Sequence, residues 1–521
     1  MARSATPRSL TPSPAGADWN AAVLLTTGVT LARIVALFRS PLELYPDEAQ
    51  YWLWSRALDF GYYSKPPMVA WGIWLTTHMG GNAEAWVRLS APLFQAGATL
   101  TVFAIARRLY GSPAALAAAA LYALMPGVQI SGLVVATDAP LLFFLGLTTL
   151  AYVDLQSATG ARRLWLAAGL GAALGLAFLS KYAALYAIIG IGLHLAVSRE
   201  GRRAWSPAAA AIAVLIFAVV LAPNIVWNAQ HGFATVHHTA ADAAWGEGRP
   251  PFNPAKLAQF LWTQVGIFGP IPFGVLVTGA ILAARRKSLP REDLLLLSFV
   301  VPPLVIVSVQ ALLSRANANW SGASYLPGAV LAAGWLMRWR ARRWLMAAVA
   351  IQAVVAAMVL MAVVRPDFAD AIGASNSLKR VRGWKATARL ITDRAKAERP
   401  MGLSTIAVND RFLYYALSYY GRDYLRQGGA PPLSYWLLTG KPENQAETSA
   451  PLSPALGQRV LAVSLEGWYL NDMVGDFVRT SGREIDDVSL DRKHIRKLVM
   501  FIGEGFSPRP RDPKTGRPIP R

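Results

Sequence analysis

Two adjacent acids, Asp47 and Glu48, follow Pro46 in the stretch from Tyr45 to Trp71, YPDEAQYWLWSRALDFGYYSKPPMVAW. Pro46 suits the first turn of a helix, where its missing N–H is not needed. The two acids then occupy that turn, where the helix dipole favours negative charge. Carboxylates at a lipid boundary are costly unless solvated or paired, so they mark a site. Lys65 stands before Pro66 and Pro67, in a loop whose backbone the prolines fix. Asp138 opens another apolar run in ATDAPLLFF, although Asp with Pro just inside is also ordinary helix-start chemistry. Lys181 lies between two apolar runs in GLAFLSKYAAL, a place where lysines also snorkel. Acids of this kind can activate a nucleophile, and the lysines can stabilise a phosphate as it leaves. Asp47, Asp138 and Glu48 are the catalytic candidates, and Lys65 and Lys181 the phosphate contacts.

A second polar group lies in NIVWNAQHGFATVHH, from Asn224 to His238. His231, His237 and His238 are metal-ligand types. His237 and His238 are neighbours and cannot share one helix face, and no carboxylate has matching spacing. No metal site is expected, and no cofactor; a divalent metal is compatible with the acids but unsupported. Asn317, Asn319 and Trp320 form another polar turn, suited to a sugar or lipid contact. Gln50, Tyr62, Tyr63, His231 and Asn319 are the substrate-binding candidates.

These groups need elements that hold them at one face. The chain has 521 residues, 54% of them hydrophobic and 16% charged, with a mean hydropathy of +0.33. Long apolar runs recur as far as residue 364, which makes this an all-α polytopic membrane protein. Eleven spans are counted, with about 11–13 transmembrane helices allowed by the uncertainty in boundaries. They run, for example, from Trp19 to Phe38, Trp86 to Ala106, Pro113 to Ile130, Ala139 to Leu155 and Pro207 to Pro223. Two interfacial helices, Asp47–Asp59 and Pro67–His78, lie in the first polar loop. The net charge of +21 would suggest nucleic acid in a soluble protein; here basic clusters fall on every second loop and set topology instead. With those clusters in the cytoplasm, the N-terminus is inside. Asp47, Asp138, Lys181 and everything after Val364 are then outside. Cysteine is absent, so there is no disulfide and no thiolate chemistry.

The expected organisation has four parts. Residues 1–17 are a Ser/Thr/Pro-rich disordered N-terminus. Residues 18–364 are the transmembrane catalytic domain, with its first outer loop at 40–85. Residues 365–506 alternate β-like runs (Ser404–Val408, Val460–Ser464, Leu498–Ile502) with helical segments such as Leu378–Arg399, the pattern of a small periplasmic α/β domain. Residues 507–521 are a flexible basic tail. Two acids and two lysines at one membrane face fit a substrate whose phosphate lies at the membrane surface, a sugar on a polyprenyl phosphate.

YPDEAQYW, GYYSKPPMVAW, ATDAPLLFF and GLAFLSKYAAL, in that order, resemble the bacterial branch of the dolichyl-phosphate-mannose protein mannosyltransferases, glycosyltransferase family 39. Lipid A aminoarabinose transferases and rhizobial lipopolysaccharide galacturonosyltransferases are among its relatives. The resemblance covers about residues 20–330 and extends more loosely beyond. It implies a GT-C fold with the active site in the first outer loop, and an inverting transfer from a polyprenyl-phosphate sugar to a lipid, glycan or protein acceptor in the bacterial envelope. By motif it makes Asp47 the first-loop catalytic acid and Asp138 the second acid. Lys65 becomes the donor-phosphate lysine, and Lys181 the basic residue of a Leu-(Ser/Thr)-Lys motif. Gln50 stands where aminoarabinose transferases carry arginine, and Ser64 where they carry an acid. These departures leave the donor sugar open and a metal at that position unsupported.

A transporter or lipid-linked sugar flippase is the alternative, and a non-catalytic envelope scaffold a further one. Transporters place ionisable groups near the midplane on broken helices, often within inverted repeats. Here the distinctive charges lie at the ends of spans, and no such repeat is visible.

Overall fold

Every long apolar run of the first 364 residues is helical in the computed structural model, which describes residues 15–242, 252–286, 288–314, 316–465, 467, 469–512 and 515–519. The expectation for residues 1–14 lies outside the described residues, as do Lys287 and Arg315. The first half comprises α1 (Ala15–Arg39), α2 (Pro46–Trp54), α3 (Met68–Gly80), α4 (Glu84–Arg88), α5 (Ser90–Tyr110), α6 (Ser112–Ala123), α7 (Pro126–Ser131), α8 (Asp138–Leu155), α9 (Gly160–Ser180) and α10 (Leu185–Val197). There follow α11 (Arg199–Arg203), α12 (Pro207–Gln230), α13 (Ala234–Asp242), α14 (Pro254–Phe268), α15 (Pro270–Ala284), α16 (Arg291–Leu313), α17 (Tyr325–Arg338) and α18 (Arg342–Val364). Among the described residues, seven helices are long and apolar enough to cross a membrane, eight if the bent pair α14–α15 is one span. The remaining expected spans are shorter apolar helices or broken ones.

The breaks have local causes. The segment Pro113–Ile130 divides at Pro126, which cannot donate to the preceding turn and clashes with it. The carbonyl of Ala123 left over at the end of α6 accepts from Arg33 Nη2 at 2.6 Å and from Gln129 Nε2 at 2.7 Å. Arg33 is itself 1% exposed within α1, so this arginine repairs a broken helix end rather than serving a substrate. α14 and α15 meet at 116°. Gly269 joins them at φ +94°, a conformation that favours glycine. α12 continues past Pro223 to Gln230, and its buried end is held to the first loop by Asn224 Nδ2, which donates to the Phe60 carbonyl at 2.6 Å, and by Trp227 Nε1, which donates to Asp59 Oδ2 at 2.7 Å.

The C-terminal part begins with α19 (Pro366–Ala371) and α20 (Ser375–Leu378), followed by α21 (Trp384–Glu398). β1 (Thr405–Val408), α22 (Arg411–Tyr420), α23 (Arg422–Leu425), β2 (Leu433–Tyr435), α24 (Gln445–Ser449), β3 (Arg459–Leu465), α25 (Leu470–Val474), β4 (Phe477–Thr480), β5 (Glu484–Ser489) and β6 (Ile495–Phe506) complete it. The sheet order is β2-β1-β3-β6-β4, with β5 also on β6. β1 lies parallel to both neighbours, with Ala407 opposite Ala462, and β3 runs antiparallel to β6, with Ala462 opposite Phe501. The three expected strands are β1, β3 and β6. β2 has only three residues, and β4 and β5 are mostly exposed and polar, so none carried an apolar run for sequence reading to find.

The tail differs from the flexible segment expected. Asp476, 0% exposed, accepts from the Arg509 backbone N–H at 3.0 Å and from Arg511 Nη2 at 2.8 Å. A buried carboxylate needs such partners, and this one draws residues 507–512 onto the sheet.

Candidate active site

The first loop is built into the C-terminal domain. Leu44, Trp52, Val69 and Ile73 share one apolar core with Trp384, Ile391, Tyr415 and Tyr419. Glu43 accepts from the backbone N–H groups of Trp384 and Lys385, and the Leu44 N–H donates to Tyr420 Oη at 2.6 Å. The loop that carries the acids therefore has a rigid second wall, and α2 lies along it.

α2 starts at Pro46 as its sequence dictates. The Tyr45 N–H donates to Glu48 Oε2 at 2.8 Å, closing the first turn. Glu48 has further contacts. It is 1% exposed, pairs with Arg88 Nη2 at 2.7 Å and accepts from the Val135 N–H at 2.9 Å. Arg88 also holds the carbonyls of Leu42 and Glu43. Both oxygens of Glu48, expected to be a catalytic acid, are thus occupied, and the residue ties α2 to α4 and to the segment before α8.

Asp47 is open by contrast. Its side chain is 37% exposed, and Oδ1 lies 3.1 Å from Arg411 Nη2. Arg411 opens α22, behind the helix-capping Asp410, whose carboxylate accepts from the Leu413 N–H. With both partners more than a third exposed, such a pair is worth about 0–1 kcal/mol, so a substrate can displace the arginine at little cost.

Asp138 opens α8 and has both oxygens engaged. Lys181 Nζ donates to Oδ1 at 2.9 Å, and Asn319 Nδ2 to Oδ2 at 3.1 Å. Lys181, expected at the donor phosphate, is thus held by Asp138. Three sequence-distant candidates meet here, because the turns before α8, after α9 and before α17 lie at one end of the bundle. Tyr51 joins the two centres. Burial pushes its phenol well above the ordinary value, and the nearby charges of Asp47 and Asp138 add to the rise, while Arg411 opposes it.

Lys65 lies in the loop before α3, where its carbonyl accepts the Tyr62 N–H at 3.1 Å. Tyr62, Tyr63 and His231 line a cavity of about 740 Å³ between the end of α2, the end of α12, and α22 and α24. Its volume is that of a small-molecule site. Trp54 and Tyr62 stack at 4.7 Å in its wall, and His231 stacks on Trp227 at 4.0 Å. Burial pushes the Tyr62 phenol up to about 12. Gly61 lies against the Trp227 ring, where a Cβ would come within 2.4 Å. Gln50 stands apart: it is 3% exposed and donates to Tyr415 Oη at 3.1 Å. Its bond joins the first loop to the C-terminal domain. Among the described residues, no group of three or more His, Asp or Glu side chains is arranged to hold a metal ion.

Arg411, Tyr51 and Arg88 escaped sequence reading. The pairing of Arg411 with Asp47 crosses 364 positions, and only the capping Asp410 before an apolar-aromatic run marks its neighbourhood.

The profile of the dolichyl-phosphate-mannose-protein mannosyltransferases matches residues 64–227. The lipid A galacturonosyltransferase RgtD of Rhizobium johnstonii is 34% identical over 420 residues, 80% of this chain and 86% of that protein. The chain belongs to this family of glycosyltransferases. The crystal structure of ArnT from Cupriavidus metallidurans in the apo state superposes with a TM-score of 0.63 at 17% identity, covering 94% of this chain and 98% of that one. ArnT from the same organism bound to undecaprenyl phosphate gives a TM-score of 0.62 at 18% identity, over 92% and 97% of the two chains. The fold is the GT-C architecture, with a small sheet domain after the helices. The enzyme is a multi-pass membrane glycosyltransferase, and the transporter alternative finds no support.

Proposed function

We propose that this glycosyltransferase moves a uronic acid sugar from a polyprenyl-phosphate donor to lipid A or a closely related envelope glycolipid, outside the inner membrane. The sugar and acceptor follow the activity named for RgtD, and the carrier follows the ligand named for ArnT. One observation carries the assignment of roles. Of the three candidate acids, only Asp47 is open, while Glu48 is buried and Asp138 is engaged at both oxygens.

Asp47 takes the proton of an acceptor hydroxyl. That oxygen forms a bond to the anomeric carbon from the face opposite the phosphate. The bond from the anomeric carbon to the phosphate oxygen breaks, and its electron pair leaves with the polyprenyl phosphate. The anomeric configuration therefore inverts. Lys65 and Arg411, freed from Asp47, face the phosphate as its charge grows. Asp138, held by Lys181 and Asn319, orients the acceptor beside Tyr51. The cavity under Tyr62, Tyr63 and His231 receives sugar rings against aromatic faces.

The site faces the periplasm in this reading, because the basic clusters alternate from loop to loop and the N-terminus is cytoplasmic. A reporter fused after Arg521 should then be active outside the cytoplasm; activity inside would reverse the assignment. For the activity itself, the purified protein is given polyprenyl-phosphate galacturonate and lipid A. Lipid A should gain one hexuronic acid, with inverted anomeric configuration. Folded protein that transfers neither this nor any other polyprenyl-linked sugar would overturn the proposal.

A further inference from the structure

Just past α2, Arg56 and Arg422 approach Trp52 where the first loop meets the C-terminal domain, and Arg426 follows Arg422 by one helical turn, its N–H donating to the Arg422 carbonyl at 3.1 Å. Arg56 lies 5.4 Å and Arg422 6.0 Å from the Trp52 ring. Trp52 Nε1 and Arg56 Nη1 both donate to Asn82 Oδ1, at 2.8 and 3.1 Å. The other donors of Arg56 go to Ser55 Oγ and Thr77 Oγ1. All these acceptors are neutral, so the half-buried guanidinium is fixed in place without its charge being met. Burial holds it below its ordinary value, and the nearby Arg426 presses in the same direction. Arg426 is exposed, and among the described residues neither it nor Arg56 forms an ion pair. The nearest acid to Arg422 is Asp423, 3.9 Å away and 92% exposed, too solvated to neutralise the group.

Three cations at one junction, two of them without an ion pair, repel one another unless an anion joins them. Arginine is suited to phosphate and carboxylate, which its planar fork meets with two parallel hydrogen bonds. The position matters as well. Arg56 lines the 740 Å³ cavity and lies beyond the C-terminal end of α2, whereas Asp47 is in that helix's first turn. Asp59, also in the cavity wall, is occupied by the Trp227 Nε1–H at 2.7 Å and the Phe60 N–H at 2.7 Å. Both of its oxygens are engaged by these neutral donors, and its charge is not among the influences on Arg56.

We propose that Arg56, Arg422 and Arg426 form a binding site for an anionic group of the acceptor glycolipid, a phosphate or sugar carboxylate remote from the hydroxyl that reacts. The site rests on the glycosyltransferase reading only in naming the acceptor. It sets which end of the acceptor enters the cavity, and so which hydroxyl reaches Asp47. The donor phosphate belongs at Lys65 and Arg411.

Binding is the test, on the full-length protein in nanodiscs by calorimetry. The probes are an acyl-free bis-phosphorylated glucosamine disaccharide, its dephosphorylated form, and digalacturonate. The phosphorylated probe, digalacturonate or both should bind about tenfold more tightly than the neutral one, and the preference should fall with added salt. Which of the two charged probes wins names the anion as phosphate or carboxylate. Arg56→Gln with Arg426→Gln should abolish the preference. Arg426→Gln alone should reduce it, and at an exposed side chain without an ion pair it does not endanger folding. Equal affinity for charged and neutral probes in the wild type, or an unchanged preference in the variants, would overturn the proposal. Charged-probe preference in a protein that transfers no sugar would leave this site standing and remove the glycosyltransferase reading of the cavity.

Discussion

Arg411 of the C-terminal domain lies 3.1 Å from Asp47 of the first loop, so the candidate base touches a cation from the far end of the chain. The contact makes the sheet domain part of the candidate site. Because the pair is solvated, Arg411→Gln should change thermal stability by no more than about 1 kcal/mol. Donor binding should weaken by about tenfold or more if the arginine moves to the phosphate. Donor titration against the wild type checks this; unchanged donor affinity would leave Arg411 as a surface contact.

Glu48 and Arg88 should behave in the opposite way. Each is almost wholly buried, and the pair is 2.7 Å apart. Removing one partner strands the other charge, a loss of about 3–5 kcal/mol. Glu48→Gln should therefore lower the unfolding midpoint strongly, while any protein that remains folded still transfers sugar. Unfolding followed by tryptophan fluorescence, together with turnover per folded molecule, separates the two. A stable but inactive Glu48→Gln would return Glu48 to the chemistry.

The docked tail predicts a pH dependence. Burial raises the Asp476 carboxyl, but its hydrogen bonds from Arg511 and Arg509 outweigh this and leave it below the usual 3.8. A group depressed in the folded state contributes stability that is complete above the unfolded value and is lost as pH falls through the folded one. Amide exchange across residues 507–512, corrected for intrinsic rate, should thus stay protected down to about pH 4 and rise below it. Asp476→Asn should expose the segment at neutral pH. Protection lost well above pH 5, or kept in Asp476→Asn, would contradict the account.

The parts legible in the sequence were those governed by local rules. Pro46 set the start of α2, apolar runs set the bundle, and Asp138, Lys181 and Asn319 could be placed on one face by counting spans. Their direct contact at 2.9 and 3.1 Å is what that alternation produces. What sequence reading missed depends on pairs distant along the chain. Nothing near Glu48 announces that Arg88 will enclose it, and nothing near Arg411 points to Asp47. Asp476 likewise turns a basic tail, read as flexible from composition, into an ordered segment. The edge strands β4 and β5 were invisible because their partner β6, not their own polarity, fixes them.

The central claim is that Asp47 is the base for sugar transfer, and single-turnover transfer by Asp47→Asn tests it most directly. The substitution keeps the shape and the reach to Arg411 but removes the proton acceptor. With donor and acceptor saturating, turnover should fall by about 10²–10⁴, the usual worth of a general base, while donor binding changes little. Asp138→Asn should fall less, as a residue that orients the acceptor. Near-normal turnover in folded Asp47→Asn would contradict the account and leave Asp47 as a helix-start residue.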